Sequence, residues 1–175
     1  VKLYVLRHGP AEDGARSGLD GDRALTESGR KRVEGVARAL VALEETPALV
    51  VTSPLVRAVQ TAEIIALVAL LEGHPCNLEV RREMAPGGTA AEMVHTFAAE
   101  SRRRVMVVGH EPDLSQLVEQ LLGSFDRPFD KAMVVGLHLR SGEAPPSASE
   151  AHPSRPRLRF VLDPKTRRLD PDARG

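Results

Sequence analysis

"KLYVLRHG", residues 2–9, decides how the chain folds. Leu3, Tyr4, Val5 and Leu6 form a short apolar run with aromatic and β-branched members, the composition of a buried strand. The run ends abruptly in Arg7, His8 and Gly9. Outward from it, residues 9–25 carry Gly, Pro and Asp and read as a loop. Thr26 offers an N-cap, with Glu27 suited to the positive end of a first helical turn. Val33, Val36, Ala37 and Leu40 recur at helical spacing, which predicts an amphipathic helix over 27–45 ended by Pro47. "ALVVTSP" (48–54) is a second buried strand. Leu55, Ala58, Val59, Ala62 and Ile65 mark another helix, and 78–82 a short strand.

Ala90, Met93, Val94 and Phe97 predict a helix over 90–100, and "RVMVVGH" (104–110) a third strong strand. Asp113 is the expected cap of a helix carrying Leu114, Leu117, Val118 and Leu121, with Gly123 as its stop. "MVVGLHL" (133–139) and "RLRFVLD" (157–163) read as closing strands, 141–156 as a Ser/Pro/Gly-rich loop and 164–175 as a charged, frayed tail. Strands alternate with helices, which predicts an α/β fold: a mostly parallel sheet covered on both faces, in one domain over 1–163. The two late strands lack an intervening helix, so that part of the sheet is expected to be antiparallel.

Hydrophobic residues make up 42% of the 175 residues and aromatics only 3%, so the core is aliphatic. Lys and Arg (24) balance Asp and Glu (24), which argues against a general nucleic-acid or membrane-surface binder; an anionic partner must be met by a local cluster. Cys76 is alone, which suits a reducing compartment. No apolar run approaches ~20 residues, and a strand at residue 2 leaves no room for a signal peptide, so a cytoplasmic, monomeric protein is expected.

In open α/β sheets, ligands bind beyond the carboxyl ends of the strands. Here the first strand ends in Arg7-His8-Gly9, the second in Thr52-Ser53-Pro54 with Arg57 one turn into the next helix, and the third in Gly109-His110-Glu111-Pro112. Each piece alone has a plain reading: a hydrogen-bonded histidine, a capped helix, a tight turn. Together, three strands aim two arginines and two histidines at one edge. Arginine stays protonated and presents planar, bidentate donors to phosphate oxygens, so Arg7 and Arg57 form a candidate phosphate clamp. Histidine is a nucleophile with a free lone pair near neutral pH.

The segments "LYVLRHGPAE", "RALTESGRKR", "VTSPLVRAVQTAEII", "PGGTAAEMV" and "VMVVGHEPDLSQLV" resemble the histidine phosphatase superfamily, which includes the phosphoglycerate mutases. The short chain, without a large insertion between strands, is most similar to the SixA-type phosphohistidine phosphatases. The resemblance implies a phosphoglycerate mutase-like three-layer α/β/α sandwich. It implies that His8 attacks phosphorus and becomes phosphorylated, and that His110 binds phosphoryl oxygens with Arg7 and Arg57. No cofactor or metal is implied, since cationic side chains supply the positive charge. Gly9 would allow close backbone approach, and a nearby carbonyl could hold the His8 ring in the required tautomer. The implied substrate is phosphohistidine on a protein such as a signalling phosphotransfer domain; a small-molecule phosphomonoesterase and an inactive phosphate-binding module are the alternatives.

Two carboxylates are candidates for the general acid, Glu83 in "RREMAPGG" and Glu111 directly after His110; a solvated or capping carboxylate accounts for each equally well. Ser53 and Thr52 could donate to phosphate, although helix capping is the simpler account. Gly87-Gly88-Thr89 could line the pocket or form a plain turn. His74-Pro75-Cys76 offers two potential ligands, too few for a metal.

Overall fold

The computed structural model describes residues 1–100, 102–140 and 156–170. Six strands form one sheet: β1 (Lys2–Arg7), β2 (Leu49–Thr52), β3 (Asn77–Val80), β4 (Arg104–Gly109), β5 (Val134–His138) and β6 (Arg157–Leu162). Their order is β3-β2-β4-β1-β5-β6. β1 to β4 are mutually parallel, whereas β5 runs antiparallel to β1 and β6 to β5. The mixed α/β sheet expected from the alternation is therefore present, with its antiparallel part where no helix separates the strands.

The alternation of side chains along β1 builds the two layers. Leu3 and Val5 join Val51, Val105 and Val107 under α3 (Ala90–Ala99) and α4 (Asp113–Leu122). Tyr4 and Leu6 join Val50, Met106 and Val108 under α1 (Glu27–Ala42) and α2 (Val56–Leu71). The central strands are apolar on both faces because both faces are covered.

Thr26 Oγ1 accepts from Gly29 N at 2.9 Å, the expected N-cap of α1. The other end of α1 corrects the reading over 27–45. The helix stops at Ala42, with Glu44 in the left-handed region (φ 57°), well before Pro47. Leaving the helix early lets the Glu45 carboxylate accept from Lys2 Nζ, Tyr4 Oη and the Arg159 guanidinium.

α4 also differs from expectation. Its N-cap is Pro112, which has no side-chain cap bond, and Asp113 instead accepts from Gly87 N at 2.8 Å, tying the loop before α3 to α4. The strand expected over 78–82 ends at Val80, and a single 3-10 turn takes Arg82–Met84.

The frayed tail expected from residue 164 is corrected over 164–170. Asp163 Oδ1 accepts from the backbone N–H of Lys165 and Thr166, which reverses the chain. Leu169 then bridges Leu162, and Asp170 N donates to Val161 O. Most of the 141–156 loop, and residues 171–175, lie outside the described residues.

Candidate active site

Parallel register brings the motifs together. Arg7 pairs with Gly109 and Thr52 with Val108, so the residues that follow, His8, His110 and Ser53, leave neighbouring strands side by side. Backbone bonds continue one step past the strands: His8 N donates to Gly109 O (3.1 Å) and Ser53 N to Val108 O (3.1 Å). The His8 and His110 rings sit 5.1 Å apart, centroid to centroid. His8, Arg57 and His110 are buried at 5%, 6% and 4% exposure, a setting in which ionisable side chains are seldom found without a partner or a function.

The loop after β1 is fixed from two sides. A Cβ at Gly9 would stand 2.6 Å from Val33 Cγ2, so only glycine lets β1 exit against α1. Gly9 N donates to Thr61 Oγ1 at 3.0 Å, and Thr61 Oγ1 donates to Arg57 O at 2.7 Å. Thr61 thus locks the exit of His8 to the helix that carries Arg57, a contact that no sequence motif announced.

His8 Nδ1 lies 2.7 Å from Gly9 O. A carbonyl can only accept, so the ring proton sits on Nδ1 and the lone pair on Nε2. Burial pushes the His8 pKa down to about 3, against the opposing effect of the Gly9 carbonyl and helped by His110, Arg57 and Arg7. Burial, with Arg57 next, lowers that of His110 to about 4. Both rings are neutral near pH 7.

His110 Nε2 is 2.8 Å from Ser53 Oγ, which also accepts from Leu55 N at 3.3 Å. When Ser53 donates its own proton to Nε2, the His110 proton resides on Nδ1, an atom buried without a partner among the described residues. Arg7 donates from Nη1 to Phe129 O at 2.6 Å, and Arg57 from Nη1 and Nη2 to Asp20 O and Oδ2 at 2.9 and 3.0 Å. Nε of Arg7 and Nε of Arg57 are likewise buried and unpartnered. Buried donors left over in this way are uncommon in proteins.

The two carboxylates considered as acids lie in different settings. Glu111 accepts from Ser115 N at 3.1 Å and from Ser115 Oγ at 2.6 Å, and so caps the first turn of α4. Glu83 lies on the 3-10 turn after β3 and lines a groove of about 350 Å³ with Glu79, Arg81, Glu92 and Phe97. The carboxylates that act on His110 are Asp113 and Asp20. Thr52 Oγ1 donates to Ser53 O, and Gly87 to Asp113, so neither is free for phosphate in this arrangement. Among the described residues, no three His, Cys, Asp or Glu side chains are grouped to hold a metal ion, and no helix is long and apolar enough to cross a membrane.

The model of the histidine phosphatase superfamily (branch 1) matches residues 3–84. An uncharacterized protein of Picosynechococcus is 38% identical over 150 residues, covering 82% of this chain and 87% of the relative. The chain belongs to the histidine phosphatase superfamily, branch 1. Among solved structures, the protein histidine phosphatase SixA complexed with tungstate aligns at a TM-score of 0.78 and 23% identity, covering 95% of this chain and 99% of that one. A phosphoserine phosphatase mutant from Entamoeba histolytica in complex with phosphoserine aligns at 0.65 and 15% identity, covering 94% and 98%. These two likenesses establish a shared phosphoglycerate mutase-like fold.

Proposed function

We propose that the protein is a phosphatase that works through a covalent phosphohistidine on His8 and that its substrate is phosphohistidine on a protein, such as a phosphotransfer domain of a signalling relay. The observation that carries this reading is the buried His8 ring. Its Nδ1–H is held by the Gly9 carbonyl, and it lies beside His110 with Arg57 and Arg7 close enough to lower its pKa.

In this mechanism Arg7, Arg57 and His110 Nδ1–H take the phosphoryl oxygens, and the Nε2 lone pair of His8 attacks phosphorus. The substrate ring takes a proton from solvent on its other nitrogen, and the P–Nε2 bond forms as the P–N bond to that ring breaks and neutral imidazole leaves. Water then attacks phosphorus, the P–Nε2 bond breaks, and the water proton passes to the released phosphate and solvent. The work is positioning and charge stabilisation. Gly9 holds the attacking ring, and Ser53 supports the phosphate site through His110.

Leaving-group chemistry favours the P–N substrate. The conjugate acid of an imidazole has a pKa of ~6.5, so it departs far more easily than an alkoxide, which needs a dedicated acid. Glu111 is engaged by Ser115, which leaves Glu83 as the carboxylate to examine for that role. The likeness to a protein histidine phosphatase supports the same choice of substrate.

The test is side-by-side turnover of a phosphohistidine protein, phosphoserine and a panel of sugar phosphates, with acid-labile phosphate trapped on the enzyme and lost in His8→Ala. Faster turnover of the small phosphomonoesters replaces the protein substrate with a small-molecule one. Undiminished release by His8→Ala ends the covalent mechanism. EDTA is expected to leave the rate unchanged, because arginines supply the positive charge.

A further inference from the structure

Arg57 carries an anion that belongs to the chain itself. Its Nη1 donates to Asp20 O at 2.9 Å and its Nη2 to Asp20 Oδ2 at 3.0 Å. The other carboxylate oxygen, Oδ1, lies 3.2 Å from Nε of Arg23. One carboxylate therefore bridges two guanidinium groups, in the manner that arginines take oxygens of a phosphate.

The two partners differ in freedom. The Arg57 side chain is 7% exposed and that of Asp20 is 68% exposed. Arg57 is fixed on α2, whereas Asp20 sits on a single 3-10 turn, Asp20–Asp22, in the loop between β1 and α1. The Arg57 guanidinium holds the Asp20 carboxyl below the usual carboxylate range, so it is an anion at neutral pH. The same carboxylate acts on His110.

We propose that Asp20 is an internal competitor for the phosphoryl group: its carboxylate holds Arg57 until an oxyanion displaces it, and this exchange sets the affinity of the site for phosphate and for phosphorylated substrate. The inference rests on the proposed function only in taking Arg57 as an oxyanion ligand. Asp20 Oδ2 holds Arg57 Nη2, which a phosphate gripping the guanidinium beside the unpartnered Nε would also need; two anions at such distances repel strongly, so the carboxylate turns away when phosphate arrives. Its return weakens the grip on the product and hastens release. A residue that merely positioned Arg57 would have the opposite effect on affinity.

The experiment is calorimetric titration of the wild type, Asp20→Ala and Asp20→Asn with tungstate and with inorganic phosphate at fixed ionic strength. Asp20→Ala is expected to bind both oxyanions at least about threefold tighter, the scale of a partly exposed ion pair. Phosphate is then expected to inhibit that variant at correspondingly lower concentration, with Asp20→Asn in between. Equal or weaker binding by Asp20→Ala overturns the inference and makes Asp20 a positioning residue, while the phosphatase reading stands. No binding to the wild type or to either variant overturns the oxyanion site itself and the inference with it. A crystal structure of the wild type with tungstate is the second measurement. Tungstate oxygens are expected on Arg57, with Asp20 Oδ2 beyond hydrogen-bond range; tungstate bound with the Asp20–Arg57 contact intact sinks the inference independently of any variant.

Discussion

β1 runs between two polar clusters, one at each end of the sheet. At its start, Lys2 and Tyr4 meet Glu45 and Arg159; at its end, Arg7 and His8 meet Arg57 and His110. Both clusters are partly or wholly buried, and both gather residues distant in sequence. They differ in their hydrogen-bond accounts. Glu45 accepts from three side chains, and burial, which would raise its pKa, is outweighed by Arg159, Tyr4 and Lys2, which hold it at about 2. At the other end, Arg7 Nε, Arg57 Nε and His110 Nδ1 are buried without partners, and two imidazoles are held neutral. A cluster whose donors converge on an acceptor of its own stabilises a fold. One with donors to spare, and with the exposed Asp20 as the carboxylate on Arg57, has the surplus that the proposed function assigns to an anion.

The largest expected effect breaks that comparison at its most direct point. His8→Ala is expected to lower phosphohistidine turnover by about three orders of magnitude or more, the usual cost of losing a nucleophile. Tungstate should still bind, because the arginines remain. Arg57→Ala comes next, at about 10²-fold in kcat, the scale of one lost oxyanion donor. Here, unlike His8→Ala, tungstate affinity should fall as well. If Arg57→Ala keeps full activity and affinity, the spare donors at this end have another purpose.

Glu45→Ala probes the opposite end. Removing the shared acceptor leaves Tyr4, Lys2 and Arg159 without their partner, and a loss of about 2 kcal/mol in stability is expected from denaturant midpoints. Turnover per folded molecule should not change. A fall in kcat would mean that the two ends are coupled through β1 and are not separate in function.

Acid separates the two ends next. Each histidine of the site has a folded pKa below its ordinary 6.5, about 3 for His8 and about 4 for His110. The unfolded chain therefore binds more protons as pH falls below 6.5, so stability present above that pH is lost on the way down. Glu45, with a pKa lowered from 4.5 to about 2, contributes stability that is lost only below 4.5. Between pH 7 and 5 the wild type is expected to lose on the order of 2 kcal/mol, allowing for screening. A His8→Ala/His110→Ala double variant should lose much less, and Glu45→Gln should lose as much as the wild type over this interval. A double variant as acid-sensitive as the wild type would remove the assignment of this pH response to the site.

The sequence disclosed the posts of the site more readily than its fittings. Apolar runs broken by Arg-His-Gly, Thr-Ser-Pro and Gly-His-Glu revealed β1, β2 and β4 and placed Arg7, His8, Arg57 and His110 at one edge, because buried parallel strands tolerate few other readings. The partner contacts of Thr61 and Asp20 were not legible. Both depend on which loop atom comes within hydrogen-bond distance, and that is fixed only by the packing of α1 and α2. Asp113 and Glu111 show how local chemistry misleads. The residue with the better capping spacing ties down Gly87, while its neighbour, read as a possible acid, reaches Ser115 and does the capping. Asp163 explains the error in the tail: one side chain turning the backbone outweighs the charge of the seven residues that follow, 164–170.

The smallest expected effect bears on the proton of His110. Ser53 Oγ accepts from Leu55 N and lies 2.8 Å from His110 Nε2, so its hydroxyl proton favours the ring tautomer with the hydrogen on Nδ1. That is the unpartnered atom the phosphate mechanism uses. Ser53→Ala removes a bond worth about 1 kcal/mol, which converts to about fivefold in kcat/KM, with little change in Tm. A purely structural serine could give the same kinetics, so the decisive readout is the nitrogen spectrum of the ring. In the wild type the Nδ1–H form should dominate near pH 7; in Ser53→Ala the two tautomers should mix, and Ser53→Thr should restore the first. If the tautomer is the same with and without the hydroxyl, Ser53 does not set the donor, and the contrast between the two ends of the sheet must rest on the arginines alone.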